Sequence, residues 1–406
     1  MTKINDILSI KIEDDIKSVI DLNQQEDQDI SDELDGFILT ESLAKHLLDF
    51  CDYFQSNPIN PGIWLSGFYG SGKSYFTKMI GFLLKNPTIN GTPFRERFAN
   101  KLVGLPNADL LMNSINELGR SNNHVVLFDS DKATGNHGIS YMMMSAFLKS
   151  LKLNDDWIGI IEYNLLLSDR YQLFCDKVQQ KFGDTWINIR KNLDLVYDTL
   201  EETMTDGFSS QSAFNDMRDA AKMRIADYDA NKLKEDLERY LKKYDTRIIF
   251  MIDEVSMAIL HKKINIADLQ GMAEAMSSLK QSVWTISIAQ QQLDDVINAS
   301  NVSRSELTKI IDRFKKRINI TAEEVNTIIR KRLLAKTSEG SVILQDYYKK
   351  NNGKIADITN IVGTGLNKTL DAQTYADYYP FYEHQFKMLQ YFLFGPQKLV
   401  KTQVGT

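Results

Sequence analysis

Four short apolar runs punctuate the chain, at residues 63–66, 125–128, 248–252 and 283–289, and each ends in glycine or polar side chains. Continuous apolar runs of this length predict strands buried on both faces, as in a parallel sheet covered by helices. A fifth short strand is expected at 317–320. Between these runs the apolar positions change to a helical period. Phe76, Met79, Ile80 and Leu83 fall on one stripe, which Asn86-Pro87 then stops. Leu307, Ile310 and Ile311 form another, and a basic amphipathic helix is expected from 322 to 335, with Thr321 as its N-cap and Glu324 completing a capping box. From about 153 to 246 no strand signal occurs. There Leu233, Leu237, Tyr240, Leu241 and Tyr244 recur at helical spacing, with Glu235/Arg239 and Glu238/Lys242 as supporting i,i+4 pairs. The pattern predicts an α/β core at 61–321 carrying a helical insertion at about 153–246, preceded by a flanking segment (1–60) and followed by a helical lid (322–406). Trp157 and Trp186 are expected in the core of the insertion.

The sharpest chemistry lies between the first strand and its helix. GFYGSGKS matches G-x-x-x-x-G-K-[ST], with Gly67, Gly72, Lys73 and Ser74 in register, and strand, loop and helix follow in the order the motif requires. A triphosphate needs its charge met without bulky side chains crowding the oxygens. Glycines at 67, 70 and 72 let backbone N–H groups turn inward, and the helix N-terminus adds its partial positive charge. Lys73 is assigned to the β and γ phosphates and the Ser74 hydroxyl to Mg2+. Gly67, Gly70, Ser71, Gly72, Lys73, Ser74 and Tyr75 form the expected ATP-binding set.

The strand at 248–252 ends in Asp253-Glu254, the Walker B pattern. Asp253 is expected to hold the Mg2+ hydration shell and Glu254 to act as general base toward the attacking water. Gln290, at the end of the next strand, is placed between these motifs to sense the γ-phosphate, with Gln291 as the alternative. Asp129 also ends a strand, and either faces the nucleotide or belongs to a polar loop. Arg313, within the basic stretch 309–317, is read as a finger reaching a neighbouring subunit's site or as part of a solvated face. The fold class expected is a P-loop NTPase of AAA+ type, with a mostly parallel sheet, flanking helices, the insertion and a partial C-terminal lid.

Composition narrows the setting. The 406 residues carry a net charge of −6, which disfavours one large nucleic-acid footprint, although it leaves room for local DNA contact. No apolar run approaches the roughly 20 residues needed to span a bilayer, and the N-terminus lacks the features of a signal peptide. Cys51 and Cys175 give no disulfide framework, and the five histidines show no zinc-ligand spacing. These features place the chain in the cytoplasm, with no membrane partner and no structural metal.

Softer segments extend the pattern. VIDLNQQEDQDISDELDGFILTESLAKHLLDF, GIWLSGFYGSGKSYFTKMIG, IIFMIDEV, VWTISIAQQQLDDV, KIIDRFKKRI and YYPFYEHQFKMLQ together resemble the large P-loop protein of BREX bacteriophage-defence systems, the BrxC/PglY family, from about residue 10 to 393. That resemblance implies an origin-recognition-like AAA+ module that hydrolyses ATP, oligomerises through its ATP sites and works with other defence-system proteins on DNA. Similar proteins often carry Thr-Ser-Gln where this chain has Ile288-Ala289-Gln290. They are also longer, so the chain is expected to be an N-terminal piece with an incomplete lid and no obvious sensor-2 arginine. The alternative expectation is an ATP-gated scaffold with little intrinsic hydrolysis.

Overall fold

The structure, a computed structural model, describes residues 3–9, 26–67, 71–132, 138–299, 310–320, 322–359, 371–386 and 388. Five strands form its central sheet: β1 (Gly62–Gly67), β2 (Asn123–Asp129), β3 (Arg247–Asp253), β4 (Val283–Ala289) and β5 (Lys316–Ile320). They lie in the order β2-β3-β4-β1-β5, and every pairing is parallel. The four apolar runs of the sequence, and the fifth strand expected at 317–320, fall inside these strands. Parallel neighbours cannot be joined by tight turns, so each connection crosses a face of the sheet and covers it with helix.

Alternation along the strands sorts the side chains into two cores. Ile63 and Leu65 of β1, Ile249 and Met251 of β3, and Trp284, Ile286 and Ile288 of β4 enter one. That core also takes the apolar faces of α1 (Asp27–Gly36), α2 (Glu41–Gln55) and α3 (Lys73–Lys85). Trp64, Ile248, Phe250, Ile252 and Val283 enter the other. The result is three layers, helix on sheet on helix. Helix α3 is buried through its centre and ends where the sequence indicates. Asn86 adopts a left-handed conformation at its C-cap, and its N–H donates to the Phe82 carbonyl at 2.7 Å.

The second core continues away from the sheet. Between β2 and β3 the described residues form α4 (Gly138–Ser150), α5 (Trp157–Leu167), α6 (Tyr171–Phe182), α7 (Leu193–Thr205), α8 (Gln211–Ala226) and α9 (Ala230–Lys243), with no strand among them. Phe174, Trp186 and Phe214 are fully buried there, and Trp157 packs partly buried beneath the Lys222 ammonium, 4.9 Å from its ring. The expected ion pairs on α9 are not the ones formed. Arg239 pairs with Asp236, Glu235 with Arg224, and Glu238 with Lys234. Asp236 faces the interior, and a buried carboxylate attracts guanidinium groups more strongly than exposed glutamates do.

After β3 come α10 (Val255–Leu260) and α11 (Ile266–Ser278), which return the chain to β4. Beyond β5, α12 (Ala322–Leu333) ends two residues short of the expected boundary. α13 (Ser338–Thr359), broken at Asn351, and α14 (Ala372–Tyr378) follow. Leu344, Tyr348, Ile355 and Tyr375 make a small separate core, which Ile7 completes from the other end of the chain. Thr321, Lys309 and Leu307 lie outside the described residues, as does the Glu324 side chain. Among the described residues no helix is long and apolar enough to cross a membrane.

Candidate functional site

A parallel sheet gathers the C-terminal ends of its strands on one edge, where ligands of open α/β folds bind. On that edge β1 runs into the glycine-rich loop and β3 ends in its acids. Strand β4 lies between them, so the Gln290 end stands between loop and acids.

The loop is shaped by close approach. A Cβ on Gly67 would sit 2.6 Å from the Ser71 hydroxyl and 3.2 Å from the Ile320 carbonyl oxygen, so any larger residue would force the loop or β5 to shift. Gly72 takes φ +83° as the N-cap of α3. It supplies no side-chain cap, and the first turn of the helix carries no acid. The first turn therefore keeps its partial positive charge with no acid of its own to offset it. Ser71 is buried, and its hydroxyl has no partner among the described residues. Lys73 is only 5% exposed, and no ion pair among the described residues uses its ammonium. Gly70 lies outside the described residues.

The acids of β3 meet this loop. The Ser74 side chain and the charge of Lys73 both bear on the Asp253 carboxyl. Burial pushes the Asp253 carboxyl up to about 6; the neighbouring Glu254 charge adds to the rise, while the Glu254 N–H, Ser74 and Lys73 oppose it. The end of β3 is anchored from β2, where the Ser130 N–H and hydroxyl both donate to the Asp253 carbonyl, at 3.0 and 2.7 Å. Glu254 follows with φ 56°, a left-handed conformation that non-glycine residues adopt at a cost of about 1–2 kcal/mol. The Gln290 side-chain amide donates to its carboxylate at 3.1 Å, and the Gln290 backbone N–H donates to the Ser256 hydroxyl at 3.1 Å.

The structure thus brings together Gly67, Ser71, Gly72, Lys73, Ser74, Asp253, Glu254 and Gln290. Gln291 is not part of the group: it is exposed, and its carbonyl accepts from the Trp64 indole at 3.1 Å. Asp129 caps its own loop, accepting from the Asp131 and Lys132 N–H groups at 2.9 and 3.1 Å and pairing with the Lys132 ammonium. Arg313 is not brought to the site of its own chain. Its guanidinium donates to Asn60 at 2.8 Å, and its carbonyl abuts Gly62, at the opposite edge of the sheet. The six residues of β1 alone span about 20 Å between the two edges.

Two contributions escape a reading of local pattern. Helix α1 lies against α3, where the Lys78 ammonium reaches Glu33 at 2.5 Å and the Tyr75 hydroxyl donates to the Glu33 carbonyl. Burial pushes that phenol up to about 12, so it stays a donor. The second is Arg332 of α12. A Cβ on Gly36 would lie 3.1 Å from the Tyr75 hydroxyl and 3.6 Å from the Arg332 guanidinium, so α1, α3 and α12 converge on this point beside the loop. The acidic run DISDELDG marks α1 in the sequence, but nothing local marks its partner.

Chemically, the site offers an anion cradle with a buried ammonium, next to a buried carboxyl. Among the described residues no cluster of three or more His, Cys, Asp or Glu forms a metal cage. A hard divalent ion could be held by Ser74 and Asp253 only with oxygens supplied by a bound anion and water. The partnerless Ser71 hydroxyl and the raised Asp253 carboxyl fit such a guest. No known protein-family model matches the chain.

Proposed function

We propose that the chain binds ATP with Mg2+ through its glycine-rich loop and hydrolyses it. The observation that carries this reading is the meeting of Lys73 and Ser74 with Asp253, beside a second carboxylate, Glu254. The loop amides and Lys73 bind the phosphates, and Ser74 and Asp253 hold the ion. Bound Mg2+ would neutralise charge building on the phosphate oxygens. One Glu254 oxygen is engaged by Gln290; the other takes a proton from water as its oxygen attacks the γ-phosphorus and the bond to the bridging oxygen breaks.

The strand order supports a finer class. With β4 between the loop strand and the acid strand, the sheet is arranged like those of P-loop ATPases with an added catalytic glutamate, in keeping with an AAA+ module. On that reading α5 to α9 are the insertion, α12 to α14 belong to the lid, and Arg332 is a cation that the lid brings toward the site. Its work in an oligomeric bacteriophage-defence complex with other proteins on DNA rests on the sequence resemblance alone. A second reading, an ATP-gated scaffold with slow turnover, is favoured by one feature: the Arg313 guanidinium is folded onto Asn60.

The test is ATP turnover across a range of protein concentrations, with Lys73→Ala and Glu254→Gln alongside. Turnover that climbs with concentration and is lost in both variants supports the ATPase. Tight binding with no turnover, unchanged by Glu254→Gln, supports the scaffold. Failure of wild type to bind ATP overturns both.

A further inference from the structure

The first described residues belong to the last helices. The Ser9 N–H and hydroxyl both donate to the Ala335 carbonyl, at 2.8 and 3.1 Å, and the Thr337 N–H donates to the Ile7 carbonyl at 2.9 Å. Between these bonds Leu8 and Lys336 pair as an antiparallel bridge. Ile7 is buried against Leu344, Tyr348, Ile355 and Tyr375. The fit is close: a Cβ on Gly340 would sit 2.5 Å from the Ile7 carbonyl oxygen and 2.9 Å from its Cα. Residues 335–337 lie in the link between α12 and α13, and Arg332 stands just before it, at the point where α1 and Tyr75 converge.

We propose that residues 3–9 form a detachable clasp that closes the C-terminal helical unit and, through the α12–α13 link, holds Arg332 beside α3. The placement of the link decides where Arg332 stands, and the clasp bonds the link from both sides of Lys336. A single bridge with two apolar side chains is a marginal pairing on its own, so it can open without unfolding the sheet. The effect on Arg332 rests on the nucleotide reading of the site; the clasp itself does not.

Hydrogen exchange on the full chain tests the clasp, with Ile7→Asp and Gly340→Ala breaking the same contact from opposite sides. Amides of 338–359 and 372–378 should exchange at least about tenfold faster in both variants, while those of 247–253 keep their wild-type rates. Gly340→Ala is the sharper case, because alanine favours helix and would otherwise slow exchange. The double variant should add little to either single one, as expected for two changes that break one contact. Unchanged exchange at 338–359 overturns the clasp, and so does equal acceleration of the β3 amides in both variants, which would make the segment part of the general fold. In parallel, a fluorescent ADP analogue should bind about three- to tenfold more weakly to both variants. Faster exchange with unchanged binding overturns the link to Arg332. A wild type that binds no analogue overturns the nucleotide reading, and the exchange result still decides the clasp.

Discussion

Buried acids occur in two regions of the molecule, and they are treated in opposite ways. In the helical region, Glu162 is wholly buried and accepts from the Asn154 N–H, the Trp186 indole, the Tyr171 hydroxyl and Arg190. Asp236 likewise accepts from Tyr228, Arg224 and Arg239. At the sheet edge, Asp253 has the Glu254 N–H and the influence of Ser74, Ser71 has no partner among the described residues, and Glu254 is held in a left-handed backbone. Burial raises the carboxyl of both Glu162 and Asp253. One region offsets that cost internally. The other opposes it only in part, through the Glu254 N–H, Ser74 and Lys73, and lies where a perturbed carboxyl is of use to chemistry.

The comparison breaks most visibly if the two acids respond alike. Glu254→Gln should lower ATP turnover by about 10²–10⁴-fold with nucleotide affinity kept, the range for loss of a general base. It should scarcely alter the urea midpoint. Glu162→Ala should do the reverse. It strands an indole N–H, a backbone N–H and Arg190 in the interior, at a cost of about 3–5 kcal/mol in urea unfolding. Turnover per folded molecule should stay near wild type. If Glu162→Ala left stability unchanged, the contrast would be lost.

Asp253 sharpens the sign. Its folded carboxyl titrates at about 6, above its ordinary value, so the folded chain binds the extra proton between about 4 and 6. Stability of the metal-free protein therefore falls as pH rises through that window. Asp253→Asn removes the penalty and should stabilise the chain in EDTA at pH 7.5 by up to about 2–3 kcal/mol, with little gain at pH 4. The same change should weaken Mg2+-dependent nucleotide binding. Thermal melts at the two pH values check the first half, and titration of a fluorescent nucleotide with and without Mg2+ the second. A destabilised Asp253→Asn at pH 7.5 would place Asp253 with Glu162 as a structural acid.

Much of this contrast was legible in the sequence, and the limits have physical causes. The strands could be read because runs buried on both faces need no partner to be recognised. The loop could be read because Gly67 and Gly72 answer local demands, a close approach and a positive φ. Side-chain partners across the fold could not. Arg239 lies four residues from Glu235, yet it turns to Asp236, which is buried by helices far away in sequence. Lys78 is buried against Glu33, a pairing between two helices that no local spacing marks. Arg332 and Ile7 acquire their roles only when the chain ends meet. Arg313 was placed correctly before β5, but a monomer's own geometry puts it at the far edge of the sheet.

The smallest effect tests the contact that joins the two chemical halves of the site. Gln290 gives Glu254 its side-chain hydrogen bond at 3.1 Å, while its backbone N–H is tied to Ser256 and fixes where the side chain starts. An amide donor orients the carboxylate without competing for its proton. Gln290→Ala should lower kcat by about three- to tenfold with KM within about twofold, because a positioning contact is felt when water is activated rather than when ATP binds. Gln290→Glu replaces the donor with a second carboxylate, which disfavours charge on Glu254, so the acid limb of the kcat profile should move to higher pH. A steric role alone predicts loss in Gln290→Ala and no movement of that limb in Gln290→Glu. If neither variant changes kcat or its pH profile, Glu254 is held by its backbone alone and Gln290 merely leaves the strand.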